Sequence, residues 1–343
     1  MKYYVGLDVS VKLTAICIVD ETGTVVRETV LVTEPSSLAS YLKGTGLRFE
    51  RVGLEAGPMS SWLHDGLLAA GLPVIVVEAR HMKAALAAMR NKTDRADARG
   101  IAQMMRTGWF RQVHVKGADA QELRLLLVNR HALMSKRRDI ENTIRGTLKV
   151  FGFKVGTVSR QCFEERVTSL LADRSDLLEL VTPMLTVRRV LLEQFFVLHR
   201  RLKKMAKEHE VCRQLMTAPS IGPVISVTYM SGVDDPRRFA KSRSVGAHFG
   251  ITPRTHASGE VERTGRISKC GDGMVRAALY EAAHNILTRL KRWCALKAWG
   301  LRVAKRAGMQ KAKVAVARKL AVILHRMWMD GTAFRWGKEV TAV

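Results

Sequence analysis

The sequence predicts an α/β domain followed by a mostly helical remainder, and three observations carry that prediction. From Lys2 to about Arg111, apolar runs of strand length alternate with helical patterns. From about Ala118 to Glu210 nearly every stretch has helical periodicity. Beyond it, helical patterns return on either side of a polar, glycine-punctuated segment from His256 to Asp272, HASGEVERTGRISKCGD.

KYYVGLDVS, LTAICIVD and TVVRETVLV are three consecutive strand candidates, and Glu21, Thr22 and Gly23 make a tight connection between the second and third. A short helix near Ser36 to Leu42 follows, then a strand in RVGLEA, a helix from Ser60 to Ala70, a strand from Pro73 to Glu78 and helical patterns from Arg80 onward. Three antiparallel strands followed by alternating helices and strands form a mixed sheet flanked by helices. That order is ribonuclease-H-like.

In the second region Met184, Leu191, Phe195, Leu198, Leu202 and Met205 recur at steps of three and four, with Arg188 as the polar exception. The spacing fits a coiled coil or a long helical hairpin, and it serves equally for packing within one domain or for a dimer seam. Thr182 and Pro183 read as the N-cap and first turn of that helix. The third region opens on LMTAPSIGPVISVTYMSG, where Ile221, Gly222 and Pro223 between two helical patterns resemble a helix-hairpin-helix element. FGITPR, the polar segment as a loop, and a helix from Gly273 to Leu290 complete it.

Charge narrows the partner. Lys and Arg number 57 against 31 Asp and Glu, a formal charge of +26, so a polyanion is the expected ligand. From Ala282 to Met329 there is no Asp or Glu, while twelve Lys and Arg fall there, Arg289, Lys291 and Arg292 first, interleaved with Trp293 and Trp299. Such a tract reads as a nucleic-acid track. No apolar run approaches the roughly 20 residues of a membrane span. The N-terminus enters a strand pattern directly, so the expectation is a soluble intracellular protein. The five cysteines stand singly, which argues against zinc knuckles and disulfides, and no phosphate-cradling G-x-x-x-x-G-K-[ST] run occurs.

The few acids are placed suggestively. Asp8 lies near the end of the first strand, Glu55 ends the fourth, and Asp94 and Asp97 in NKTDRADARG are three apart, on one helix face. In a ribonuclease-H-like sheet the first and fourth strands are neighbours, and a following helix can lay its acidic face across their ends. Carboxylates gathered in this way suit Mg²⁺ and phosphodiester chemistry. Singly, each acid could instead cap a loop or a helix N-terminus.

Asp8, Glu55 and the K-T-D-R-A-D-A run, joined to P-S-I-G-P, F-G-I-T-P-R, S-G and G-R-I-S-K-C-G-D, resemble the bridge-RNA-guided DEDD insertion-sequence transposases, whose relatives include pilin-gene invertases. The resemblance covers essentially the whole chain. It implies a RuvC-like DEDD domain over 1–155, a helical coiled-coil region over 156–208, a serine-bearing transposase domain over 209–332 and a tail over 333–343. Carried over residue by residue, it makes Asp8, Glu55, Asp94 and Asp97 an Mg²⁺-binding tetrad and Ser258, followed by Gly259, a nucleophile that links covalently to DNA. It further implies a structured guide RNA, donor and target DNA as partners, a dimer to tetramer with a composite active site, and a bacterial or archaeal, nucleoid-associated location.

Ala257 precedes Ser258, so no adjoining serine could substitute for it. A serine hydroxyl needs a base or a metal to attack. His256, two residues away along an extended chain, could assist. Arg254, Arg263, Arg266 and Lys269 read as phosphate clamps, with Gly259 and Gly265 leaving room for DNA. Arg276, Arg289, Lys291 and Arg292 extend the basic nucleic-acid contacts. The rival readings are a metal-dependent nuclease or Holliday-junction resolvase without a covalent serine, and a non-catalytic nucleic-acid-binding protein.

Overall fold

Three antiparallel strands form because LTAICIV and YYVGLDV place β-branched and aromatic residues on both faces of a sheet that helices then cover. The computed structural model describes residues 1–87, 93–258 and 261–337, with the backbone alone at 256–258 and 261–262. It divides into two compact units, Met1–Lys116 and Gly117–Val343.

The first unit runs β1 (Tyr3–Val9), β2 (Leu13–Val19), β3 (Val25–Val32), α1 (Pro35–Gly44), β4 (Phe49–Glu55), α2 (Ser60–Ala69), β5 (Val74–Val77), α3 (Ala79–Leu86) and α4 (Asp94–Thr107). The sheet order is β3-β2-β1-β4-β5. β1–β2 and β2–β3 are antiparallel, whereas β1–β4 and β4–β5 are parallel. This is the ribonuclease-H-like arrangement that the strand pattern predicts. The β2–β3 turn is built by Asp20, whose Oδ1 accepts from the amides of Thr22, Gly23 and Thr24 and from the Thr22 hydroxyl. The Thr22 hydroxyl, with the turn amides, holds that carboxyl below its usual range. Gly23 supplies the positive φ the turn needs.

Two cores sandwich the sheet. Val5, Leu7, Ile16, Ile18, Val52 and Leu54 pack with Leu38, Leu42, Leu63 and Leu67 from the α1–α2 side. Tyr4, Ala15, Cys17 and Val19 pack with Ala98, Ile101, Ala102 and Met105 of α4 on the other. The alternation of β1 between these sets is strand periodicity made visible.

The second unit contains α5 (Ala118–Val150), α6 (Phe163–Leu170), α7 (Ser175–Glu208), α8 (Glu210–Leu215), α9 (Pro223–Val233), α10 (Ser244–His248), β6 (Pro253–Ser258), β7 (Val261–Ile267), α11 (Gly273–Thr288), α12 (Ala295–Ala307) and α13 (Met309–Asp330). α5 and α7, 33 and 34 residues long, pack as the long helical hairpin that the heptad spacing allows. Phe195 and Leu202 are buried as the pattern requires. Arg188 is buried too, because Glu141 of α5 accepts from its Nε at 2.7 Å.

Two local expectations are corrected. Thr182 and Pro183 do not begin a helix, since α7 starts at Ser175 and carries Pro183 in its interior. An internal proline costs about 3 kcal/mol or more, and the buried Leu177, Val181 and Leu185 around it offset that cost. The segment after FGITPR is not an irregular loop either. β6 and β7 pair antiparallel from Pro253↔Ile267 to Ser258↔Val261, and the described side chains of this two-stranded ribbon at 253–255 and 263–266 are exposed. Among the described residues no helix is long and apolar enough to cross a membrane.

Candidate active site

Two glycines decide where the acids go. Gly6 of β1 and Gly53 of β4 are register partners. A Cβ on Gly6 would lie 2.1 Å from the Ala98 carbonyl oxygen and 2.4 Å from the Ala102 nitrogen, and one on Gly53 would lie 2.5 Å from Met105 Sδ. Both positions therefore sit directly beneath α4. Side chains alternate along a strand, so Asp8 and Glu55, each two residues further on, belong to the same face of the sheet as α4. They stand side by side at the carboxyl ends of parallel neighbours, one step beyond the Leu7↔Leu54 pair.

α4 runs opposite to β1. Its later half reaches the β2–β3 turn, where Gln103 Nε2 donates to Gly23 O at 2.7 Å, and Arg51 near the start of β4 donates to Met105 O at 2.7 Å. The first turn of α4, with Asp94 and Asp97, consequently lies toward the end of the sheet that carries Asp8 and Glu55. Thr93 is the N-cap, its hydroxyl accepting from the Ala96 amide, so neither aspartate is consumed by capping. The structure thus brings the four predicted acids to one face and one end of the sheet. Asp97 has no ion pair with Arg99, which reaches across to Glu28 of β3 through both guanidinium nitrogens Nε and Nη2.

That pair fastens α4 to the sheet. The Arg99 guanidinium holds Glu28 below the usual carboxylate range, while burial, aided by Glu28, pushes the neighbouring Cys17 thiol up to about 12. A carboxyl with a depressed folded pKa stabilises the fold above its unfolded value, about 4.3, and loses that contribution as pH falls through the folded value. Glu28→Gln is therefore expected to flatten the acid side of the thermal stability profile below about pH 4.3. Calorimetric Tm values measured across that range check it, and equal slopes in both proteins would count against the pair.

Oxygen donors on one face are the right chemistry for a hard divalent cation. Among the described residues, however, no three His, Cys, Asp or Glu side chains are drawn into a metal-binding cluster. The donor set fits in kind and in placement, without the closeness of a bound ion.

The serine-bearing ribbon is built in the second unit. Ser258 ends β6 opposite Val261, and Arg263 pairs with His256 in the backbone register. The side chains of His256 and Ser258, and the whole of Gly259, lie outside the described residues. Arg263, Arg266 and Lys269 are exposed, and Arg254 is exposed while donating to Ser268 O at 3.1 Å. Ser268 lies in the link before α11, whose N-cap is Asp272.

The base of the ribbon rests on residues that the sequence did not single out for this role. Gly250 and Gly271 both have positive φ, and a Cβ on either would strike backbone, Cys270 N at 2.3 Å and His248 O at 2.0 Å respectively. They let the FGITPR and SKCGD segments cross with main chains touching. Arg276, expected among the nucleic-acid contacts, uses Nη1 to bond both Phe249 O and Cys270 O at 3.0 Å and so staples that crossing. A half-buried, carbonyl-bound guanidinium of this kind has no signature in the local sequence.

In the acid-free tract Arg289, Lys291 and Arg292 are exposed. Arg292 lies 4.4 Å over the Trp336 ring and Lys319 4.3 Å over Trp299, while Trp293 stays solvent-accessible. Of the cysteines, Cys17, Cys212 and Cys294 are buried, Cys270 is half-buried and Cys162 is exposed.

A ribonuclease-H-like sheet with carboxylates at the ends of its central parallel strands defines a class of enzymes that act on nucleic-acid backbones. Within it, residues 5–152 match the DEDD transposase family of the IS110 type and residues 212–298 match the transposase IS116/IS110/IS902 family. The two matches, in different parts of the chain, together support an IS110-type DEDD transposase, an enzyme acting on DNA. The chain is 29% identical to the transposase for insertion sequence element IS1111A of Coxiella burnetii, over 97% of this chain and 91% of that protein. It is also 29% identical to a Sinorhizobium fredii protein named as a transposase, over 72% of this chain and 65% of that one. The structure of T. thermophilus RuvC with a Holliday junction substrate aligns with 33% of this chain and all of its own at 18% identity and a TM-score of 0.25, and the fold assignment above rests on strand order instead.

Proposed function

We propose that this transposase cuts and rejoins donor and target DNA through a covalent phosphoserine, with a structured RNA of its element as the guide. The observation that carries the reading is the gathering of Asp8, Glu55, Asp94 and Asp97 at one sheet end by Gly6, Gly53 and the antiparallel course of α4. Those four carboxylates would hold a divalent cation such as Mg²⁺, whose charge would offset the charge building on the phosphate oxygens.

Ser258 supplies the nucleophile. Its Oγ bonds to phosphorus as one P–O ester bond of the strand breaks, the displaced oxygen leaving as a hydroxyl with a proton. Rejoining reverses this, a strand hydroxyl displacing Oγ, so the count of phosphoesters is conserved and no nucleotide hydrolysis is needed. Arg254, Arg263, Arg266 and Lys269 on the ribbon and its base neutralise the backbone being exchanged. Guide RNA, like DNA, would be held through phosphates, for which the formal charge of +26 is suited.

Self-association fits the same reading. Leu180, Val187, Val190 and Val197 on α7 are exposed at steps of seven, three and seven, a second apolar seam beside the one that packs on α5. Acids of one copy would then work with the serine of another.

The test is covalent trapping. Wild-type protein incubated with Mg²⁺, its element's RNA and cleavable DNA, then denatured, is expected to retain DNA on the tryptic peptide containing Ser258. Cleavage with no retained DNA would favour a hydrolytic nuclease.

A further inference from the structure

The α5–α7 hairpin carries a concentration of cations that its own acids do not balance. Phe195, 2% exposed, has the Arg130 guanidinium 4.8 Å and the Arg160 guanidinium 5.9 Å from its ring centroid. The His199 ring stacks on the same phenyl at 5.5 Å and 17°. Arg130 Nε donates to His199 Nδ1 at 3.3 Å, which fixes the remaining ring proton of the neutral imidazole on Nε2 because a guanidinium can only donate.

The layer beneath is equally basic. Arg188 Nη2 donates to the Arg160 carbonyl at 2.5 Å, and Arg188 and Arg137 share a single acid, Glu141 Oε1, at 2.7 and 2.5 Å. Arg137 is 7% exposed, and its Nε is buried without a hydrogen-bond partner. Two guanidiniums thus share one carboxylate, and among the described residues none of the ion pairs involves Arg130 or Arg160. Burial and the charge of Arg160 both lower the pKa of Arg130, the expected mark of crowded cations.

Stacking alone does not account for the arrangement. One arginine laid on a buried phenyl is ordinary cation–π packing. A second like charge on the same ring adds repulsion that an apolar residue would avoid, and an anion between the two forks removes it. Arg160 is exposed and Arg130 is half-buried, so a ligand can reach both. A guanidinium fork matches the geometry of phosphate oxygens, and His199 Nε2 offers a further donor to the same anion.

We propose that Arg130, Arg160 and His199 form a phosphate-binding site on the α5–α7 hairpin that holds a nucleic-acid backbone. The site lies outside both the acidic and the serine-bearing segments. It rests on reading the chain as a nucleic-acid enzyme, and it assigns to the hairpin a binding role in addition to its structural one.

The experiment uses the full chain, with a short DNA duplex and an RNA stem-loop as separate probes, followed by fluorescence anisotropy across a salt series. Arg160→Gln and Arg130→Gln are each expected to weaken binding about tenfold for at least one probe and to make the log–log salt slope shallower by about one. Loss confined to the duplex identifies DNA as the ligand, and loss confined to the stem-loop identifies RNA; either supports the site. Since Arg160 is an exposed residue between helices, its variant keeps the test valid should Arg130→Gln unfold the hairpin. Unchanged affinity and slope for both probes in Arg160→Gln, with wild type binding normally, overturns the site alone. Wild type binding neither probe overturns the nucleic-acid reading beneath it.

Discussion

Ser258→Ala is expected to abolish covalent capture of DNA and to lower strand transfer at least about a thousandfold, the scale on which an enzyme loses its nucleophile. Binding is expected to survive, because Arg254, Arg263, Arg266 and Lys269 remain to meet the phosphates. Asp8→Asn and Glu55→Gln are expected to produce the same loss of transfer from the other half of the chemistry, since each removes a charge and leaves the side-chain volume in place. Gel assays of strand transfer, paired with anisotropy for binding, separate the two effects. Transfer preserved in Ser258→Ala would sink the covalent mechanism, and transfer preserved in Asp8→Asn would sink the acidic site.

Gly6→Ala is expected to be the most damaging single methyl in the first unit. The added carbon meets the backbone of α4 at Ala98 and Ala102, which no rotamer change can relieve, so the helix must lift from the sheet. Overpacking of this kind costs roughly 1–3 kcal/mol. Gly53→Ala meets only the flexible Met105 side chain and is expected to cost less. Hydrogen exchange of the α4 amides, measured on peptides of the full chain, reads the difference. Because Asp94 and Asp97 ride on that helix, Gly6→Ala should also lose strand transfer while keeping Asp8, Glu55 and Ser258. Equal and small effects of the two alanines would mean that α4 does not depend on this contact.

Much of the first unit was legible because its signals are local. Alternation in YYVGLDV and LTAICIV and the Glu21–Gly23 connection each depend on neighbours within a few residues, and local periodicity survives folding. The ribbon reads as a loop in the sequence because PRTHAS and VERTGRI carry no apolar alternation to mark them as strands. Pro183 misleads for the opposite reason: its usual meaning as a helix start is overridden by packing of Leu177, Val181 and Leu185 against residues distant in sequence. For Arg276, composition cannot distinguish a guanidinium that meets phosphate from one that meets two carbonyls.

By itself, the sequence determined the order of strands and helices in the first unit and the excess of positive charge, and it singled out four acids as candidates, since each is a property of residue type and short-range spacing. Only the tertiary structure decided that Asp8 and Glu55 share a face with α4, that Gly250 and Gly271 let the ribbon's base cross main chain on main chain, and that Arg130 and Arg160 crowd one phenyl ring. These depend on side chains far apart in the chain meeting at a few ångströms, where sterics and unscreened charge act, and no pattern along the chain encodes such distances.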